Sequence, residues 1–387
     1  MEKIVGIICE YNPFHKGHKL QIDKIRLEHP EATIVAIMSG NVVQRGELAM
    51  IDKYKRAEIA LSCGVDLILE LPYPYSGSTA EIFAESGVEI AQRVGCTHLY
   101  FGTESLSISE LEKTADVLLS IECQNEIKNV MRASNLGYIQ ARQSYLSSRG
   151  INLPSGSNDI LALEYVKAIK AKKYNINYST IKRVGANYND TEVSEFMSAS
   201  AIRKHYYQAG EFLSIPENTL DIYKSVHSNQ EVIDFKLYED YLYRYCLLAE
   251  RRVLDCAFDS CEEIGALIKE KALESIDGND FFDGLSSKSY TTARTKRAIL
   301  ASIFGVSTFE RTPSFSVLLG ANKKGREVLS QVDEGFVVLT KLADAKKLTK
   351  EQREALELTI KVDMLHSSFL KNGSKPKKAY DKKPIIR

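Results

Sequence analysis

The first 22 residues constrain the fold more than any other stretch. An apolar, β-branched run at 4–9 (IVGIIC) is followed by EYNPFHKGH at 10–18 and then by Lys19-Leu20-Gln21-Ile22. A short β-branched run, a turn broken by Pro and Gly, and an amphipathic run spell strand, loop and helix. The loop carries His15 and His18 to a helix N-terminus. There the backbone N–H groups lack partners and the helix dipole is positive, so two imidazoles form a site for phosphate oxygens. Gly17 leaves room for a ligand to touch backbone. Two histidines at a helix start also fit plain surface polarity, and it is the strand before them that gives the pair a chemical reading.

The chain continues in the same idiom. Residues 32–38 (ATIVAIM) form a second buried-strand pattern closed by Ser39-Gly40-Asn41, which makes a βαβ start to a parallel sheet. A turn at 42–47 leads to a helix from Lys53 to about Ser62, and Arg45, Lys53 and Arg56 lie just beyond a strand's carboxyl end, where open α/β sheets bind ligands. For Lys53 and Arg56 the pattern equally fits a solvated helix face. Residues 66–71 (DLILEL) read as a third strand, and Ser78 or Thr79 caps the helix after it. Residues 98–101 (HLYF) form a fourth strand, with Gly102 at its end, and 107–149 are helical in two or three segments. Asn158 or Asp159 caps a helix over 160–172, and 178–184 supply a fifth strand ending near Arg183. Residues 197–203 then turn from a hydroxyl-rich loop into a helix holding Ser198, Ser200 and Arg203.

This pattern predicts an α/β fold: a Rossmann-like, parallel, five-stranded sheet over residues 1–205. Residues 206–370 read as mainly helical, with a small α/β segment near 315–341, and 371–387 as a basic tail. At 387 residues, with 44% apolar and 26% charged side chains, the chain can bury two such cores. No run of about 18 apolar residues marks a membrane span, and the N-terminal run is too short for a signal peptide, so a cytoplasmic protein is expected. Seven scattered cysteines without CxxC or Cys/His spacing fit reduced thiols and no metal site. The formal charge of zero hides a tail with Lys371, Lys375, Lys377, Lys378, Lys382, Lys383 and Arg387 against Asp381. Such a tail suits a polyanion, or a merely solvated terminus.

Tyr238, Tyr241, Tyr243 and Tyr245 crowd beside Arg244, Arg251 and Arg252, and Arg294, Lys296 and Arg297 form a basic helix start. Aromatics interleaved with arginines can stack on and neutralise RNA; a tyrosine-rich core with a solvated face is the alternative.

His15-Lys16-Gly17-His18 resembles the HxGH signature of the HIGH-type nucleotidyltransferases, and 197–203 resembles their second, Ser- and Arg-bearing phosphate signature. Both occur in order and on the expected elements. Further strings, MSGNVVQRGE (38–47), FGTES (101–105), SGSNDIL (155–161) and KRVGANYND (182–190), make nearly the whole chain similar to the tRNA(Met) cytidine acetate ligase family. That resemblance implies catalytic His15 and His18. It implies an ATP site built from Ile8, Cys9, Glu10, Tyr11, Asn12, Pro13, Phe14, His15, Lys16, Gly17, His18, Lys19, Leu20 and Gln21. Gly102, Asn158, Arg183, Ser198, Ser200 and Arg203 would join it. It also implies ATP as co-substrate with Mg2+ as its companion, acetate as the activated acid, and elongator tRNA(Met) as acceptor at N4 of the wobble cytidine. It gives no oligomeric state. Two other readings share the same motifs: a small-molecule adenylyltransferase, and a non-catalytic RNA-binding protein on a nucleotide fold. The long basic and aromatic portion after residue 205 weighs against the first, and the intact histidines and Ser/Arg signature weigh against the second.

Overall fold

The computed structural model describes residues 3–134, 138–151, 154, 156–182, 196–287, 290–376 and 382–387. Its five leading sheet strands are those the apolar runs predict: β1 (Ile4–Cys9), β2 (Thr33–Ser39), β5 (Leu67–Leu71), β6 (His98–Thr103) and β7 (Asn177–Lys182). A two-stranded hairpin, β3 (Val42–Val43) with β4 (Glu47–Leu48), stands between β2 and β5. The five strands are parallel neighbours in the order β5-β2-β1-β6-β7. Strand order reverses between β1 and β6, and in open α/β sheets the ligand crevice lies outside the carboxyl ends at that point.

Helices cover both faces of this sheet because its strands are apolar on both. Ile4, Ile8, Val35, Ile37, Leu67 and Leu69 belong to one core, and Val5, Ile7, Ile34, Ala36 and Ile68 to the other. The alternation is the two-residue period of a pleated strand. On the first face pack α3 (Ala80–Arg93), α4 (Ile108–Leu119), α5 (Ile121–Ser134), α6 (Tyr138–Ser148) and α7 (Ser157–Lys172); on the second lie α1 (Lys16–Glu28) and α2 (Lys53–Ser62). Thr79 caps α3, accepting from the Ile82 N–H.

The chain then runs through α8 (Ala199–Ala209), α9 (Leu220–Ser228), α10 (Phe235–Leu248), α11 (Arg251–Asp255), α12 (Glu262–Glu274), α13 (Gly278–Gly284) and α14 (Thr292–Phe304). The helices α10 to α14 enclose a third core that takes in Val42 and Leu48 of the hairpin. After them come β8 (Phe315–Ala321), α15 (Lys323–Leu329), β9 (Val337–Leu339), α16 (Lys350–Ser368) and β10 (Ile385–Ile386).

Here the structure corrects the sequence expectation. The segment 315–341 is not a small unit of the C-terminal portion but the continuation of the first sheet, because β8 pairs antiparallel with β5 and parallel with both β9 and β10. Among the described residues the sheet therefore has eight strands. The basic tail returns with it: Lys382 pairs with Asp52 at 2.7 Å, and Ile385 and Ile386 lie beside Gly320 and Ala321. No helix among the described residues is long and apolar enough to cross a membrane.

Candidate nucleotide site

The loop after β1 opens at the reversal of strand order, and its two histidines fix each other. His15 is the N-cap of α1: its Nδ1 accepts from the Gly17 N–H at 3.0 Å, while the His15 N–H donates to Nδ1 of His18 at 3.3 Å. The rings stack with centroids 3.8 Å apart. Because each Nδ1 accepts from backbone, each neutral ring carries its proton on Nε2, and the pair becomes two imidazole donors at a helix N-terminus. Gly17 serves a different purpose from the one its sequence suggests. A Cβ there would lie 2.9 Å from Cε1 of His15, so the space belongs to the imidazole.

Other elements clamp the loop. Tyr11 holds φ 48°, a left-handed conformation that costs a non-glycine residue roughly 1 kcal/mol or more. Its ring is buried edge-on against Phe14 and His18. Asn12 Oδ1 accepts from the Met50 N–H, its carbonyl accepts from Arg203 Nη1, and the Tyr223 hydroxyl donates to the Phe14 carbonyl at 2.6 Å. The Lys16 N–H donates to the Ser214 carbonyl. Ile8, Tyr11, Asn12, Pro13 and Phe14 are buried, whereas Cys9, Lys16, Gly17, His18, Lys19 and Gln21 are half-buried and Leu20 is exposed. Lys19 pairs with Asp23, and Gln21 donates to the Tyr100 carbonyl.

Glu10 gathers the site's cations. Burial pushes its carboxyl up, while the Gln44 N–H, at 2.8 Å, and the charges of Arg203, Arg45 and Arg56 pull it back. Arg45 reaches Ser157 Oγ at 2.9 Å, and Arg203 approaches Ser200 Oγ at 3.4 Å. Ser198 is the N-cap of α8 and accepts from the Ala201 N–H, so the second signature is also a helix N-terminus. Two helix starts, two imidazoles and two guanidiniums thus converge on one crevice, an arrangement suited to an anion with several charges.

Gly102 does not break its strand: β6 runs on to Thr103, and Gly102 is paired with Ile181 of β7 one residue before the end. Asn158 does not cap its helix. The helix begins at Ser157 with Gly156 as N-cap, and Glu104 supplies the acceptor instead, taking the Asn158 N–H and Nδ2. A side chain at 156 would overlap Glu104, since a Cβ there would fall 1.6 Å from its Oε2. Asp159 is fully buried and accepts from the Glu104 N–H and the Ser105 N–H and hydroxyl. Arg183 lies outside the described residues. Gln44, Glu104 and Asp159 are the neighbours of the site to which sequence reasoning gave no role in it. For Glu104 and Asp159 an acid just after a glycine-bearing turn was the only signal, and for Gln44 there was none.

Lys53 and Arg56 are not a solvated face. Arg56 is fully buried and donates to the carbonyls of Glu10, Ser39, Gly40 and Ile51, closing the loop ends above the sheet. Lys53 Nζ sits 2.8 Å from Glu70 Oε2 and 2.7 Å from Asp363 Oδ2, and burial acts against its charge less than Asp363 and Glu70 support it.

The basic groups assigned to RNA separate into two sets. Arg244 and Arg252 are exposed. Arg251 is half-committed, to Asp255 and the Glu262 carbonyl. Arg297 is buried on Asp259 at 2.7 Å, Arg294 also bonds Asp259 and lies over Tyr290, and Lys296 pairs with Glu47 at 2.6 Å. Gly46, at φ 75°, is pressed so close to α14 that a Cβ would come 2.5 Å from the Arg297 nitrogen. This helix start is a joint to the hairpin, and only its outer side faces solvent.

The HIGH Nucleotidyl Transferase family model matches residues 2–382. The tRNA(Met) cytidine acetate ligase of Fusobacterium nucleatum is 31% identical over 96% of this chain and 98% of its own length, and that of Caldicellulosiruptor bescii is 30% identical over 96% of both. The crystal structure of Thermotoga maritima TmcAL bound with alpha-thio ATP has 28% identity, covers 99% of each chain and superposes with a TM-score of 0.90. The chain belongs to the HIGH nucleotidyl transferase family, among the relatives named tRNA(Met) cytidine acetate ligases.

Proposed function

We propose that this chain is an ATP-dependent acetate ligase that forms acetyl-adenylate and passes the acetyl group to N4 of the wobble cytidine of elongator tRNA(Met), giving N4-acetylcytidine. The observation that carries the reading is the paired His15 and His18 at the α1 N-terminus facing a second helix start with Arg203. In the first step an acetate oxygen attacks the α-phosphorus, and the bond to the bridging oxygen of pyrophosphate breaks. Charge grows on the phosphate oxygens, and the fixed Nε2–H donors, with the positive end of the α1 dipole behind them, stabilise it without reorganising. Acetate is already an anion, so no base is required. Arg203, with Ser198 and Ser200, suits the β- and γ-phosphates, and Gly102 and Asn158 suit the adenosine end of the crevice; Arg183 is added by the family resemblance alone.

In the second step the N4 lone pair attacks the acetyl carbonyl carbon, AMP leaves, and one N4 proton is lost to water. Cytosine's exocyclic amine is a weak nucleophile, so its acyl partner must arrive activated. Among the described residues no cluster of three His, Cys, Asp or Glu side chains gathers to hold a metal. Mg2+ is accordingly assigned to the nucleotide's own phosphates, with no step routed through it. Residues 1–205 would carry the ATP chemistry and the helices after them the tRNA, with Arg244 and Arg252 as phosphate contacts. ATP–pyrophosphate exchange with and without acetate tests the reading, followed by mass analysis of nucleosides from incubated tRNA. Exchange that requires acetate, with N4-acetylcytidine appearing in tRNA(Met), is expected; exchange indifferent to acetate, or none, overturns it.

A further inference from the structure

A cavity of about 230 Å³ opens where the hairpin meets α8, α10, α13 and α14. It is smaller than the ~300 Å³ at which pockets for drug-sized ligands begin, which suits one flat ring with its sugar. Its walls include the aromatic side chains of Tyr207, Phe235, Tyr238 and Phe282, and it shares Ser200 and Arg203 with the phosphate signature described above. A molecule seated here therefore lies directly beside the nucleotide crevice.

The chemistry of the lining is that of a nucleotide site. Aromatic faces stack on bases, and Lys204, exposed beside Arg203, can meet a backbone phosphate. Two carboxyls face the cavity, Glu47 and Glu239. Glu47 is taken up by Lys296 at 2.6 Å. The Tyr238 hydroxyl is buried and finds no hydrogen-bond partner among the described residues, a polar group left for something not yet bound.

We propose that this cavity receives the acceptor cytosine, and that Glu239 reads the N3 and N4 edge of the base. The proposal rests on the ligase reading and locates its second substrate. A carboxylic acid offers a carbonyl oxygen to the N4–H and an O–H to N3; uracil, with N3–H and O4, presents the opposite pattern. Burial pushes the Glu239 carboxyl up, and Glu47, Asp283 and Asp240 push the same way against Lys296, which favours the acid form this pairing needs. The wobble base is unpaired in its loop, so withdrawing it into a pocket breaks no base pair.

The test uses full-length protein and three readouts: acetate-dependent ATP–pyrophosphate exchange, acetyl transfer to tRNA(Met), and binding of that tRNA with cytosine or uracil at the wobble position. Glu239 lies outside the adenylation residues. Glu239→Leu is expected to lower kcat/KM for transfer and to erase the cytosine-over-uracil binding preference, each by roughly 10- to 100-fold, with exchange unchanged. Glu239→Gln, whose amide offers the same acceptor and donor, is expected to stay within about threefold of the parent in both. Transfer and base preference retained in Glu239→Leu overturn the proposal, as does a Gln variant that fails as badly as the Leu variant. An unmutated protein without acetate-dependent exchange overturns the ligase reading itself.

Discussion

His15→Asn separates two roles that His15→Ala would destroy together. In the structure His15 is both an N-cap, through Nδ1 and the Gly17 N–H at 3.0 Å, and one of two imidazole donors. Asparagine places a carbonyl oxygen near the position of Nδ1 and caps helices as well as any residue, so the α1 start survives and stability changes by no more than about 0.5 kcal/mol. Alanine leaves the Gly17 N–H without its acceptor and costs about 1 kcal/mol, a fall in unfolding temperature of roughly 1–2 °C in a protein of this size. Neither replacement supplies the Nε2–H. Each should therefore lose roughly 100- to 1000-fold in acetate-dependent exchange, the ~3–4 kcal/mol worth of one transition-state donor. His18→Ala should lose a similar factor. The double variant should lose less than the product of the two, because rings 3.8 Å apart act as a unit. Exchange and thermal unfolding measured side by side decide it. If His15→Asn exchanges at the parental rate, His15 is only a cap and the assignment of the donor fails.

Arg203→Ala, and Arg183→Ala by the family resemblance, should raise the ATP concentration needed for half-maximal exchange and leave the acetate requirement unchanged; a matched rise in both would move the phosphate site elsewhere. Lys53→Met leaves Glu70 and Asp363 without their buried cation and should destabilise by ~3–5 kcal/mol, read as a lower unfolding temperature. Burial already pushes Glu70 up from 4.5 to about 7, so protonating it stabilises the fold below its unfolded value and that contribution is lost as pH rises through 7; the variant's deficit should be larger near pH 8 than near pH 5.5, and the reverse order refutes the account. Arg244→Glu with Arg252→Glu, both exposed, should weaken tRNA binding, flatten its salt dependence by about two phosphate contacts and spare exchange. An unchanged salt slope would return these arginines to the solvated face.

What the sequence disclosed and what it hid divide along physical lines. The five parallel strands and both helix starts were legible because their causes are local: β-branched runs, a Pro- and Gly-broken turn, hydroxyls before a helix. The destination of 315–321 was not, since a strand's apolar run says nothing of which edge it will join. Charge misled for the same reason. Lys53, Lys296 and Arg297 read as groups available to phosphate because their partners, Asp363, Glu47 and Asp259, lie far away in sequence or across a turn. Two of these pairs tie the first 205 residues to the helices after them, and Arg297 also donates to the carbonyl of Gln44, whose N–H holds Glu10. A charge reversal at 294–297 therefore cannot be a clean probe of tRNA contact. It pulls on the hairpin, the hairpin carries Gln44, and Gln44 orients the carboxyl around which Arg45 and Arg203 collect. Adenylation should fall with transfer in such a variant. Substitutions at Glu239 or at Arg244 and Arg252 are the ones that can affect the second step alone.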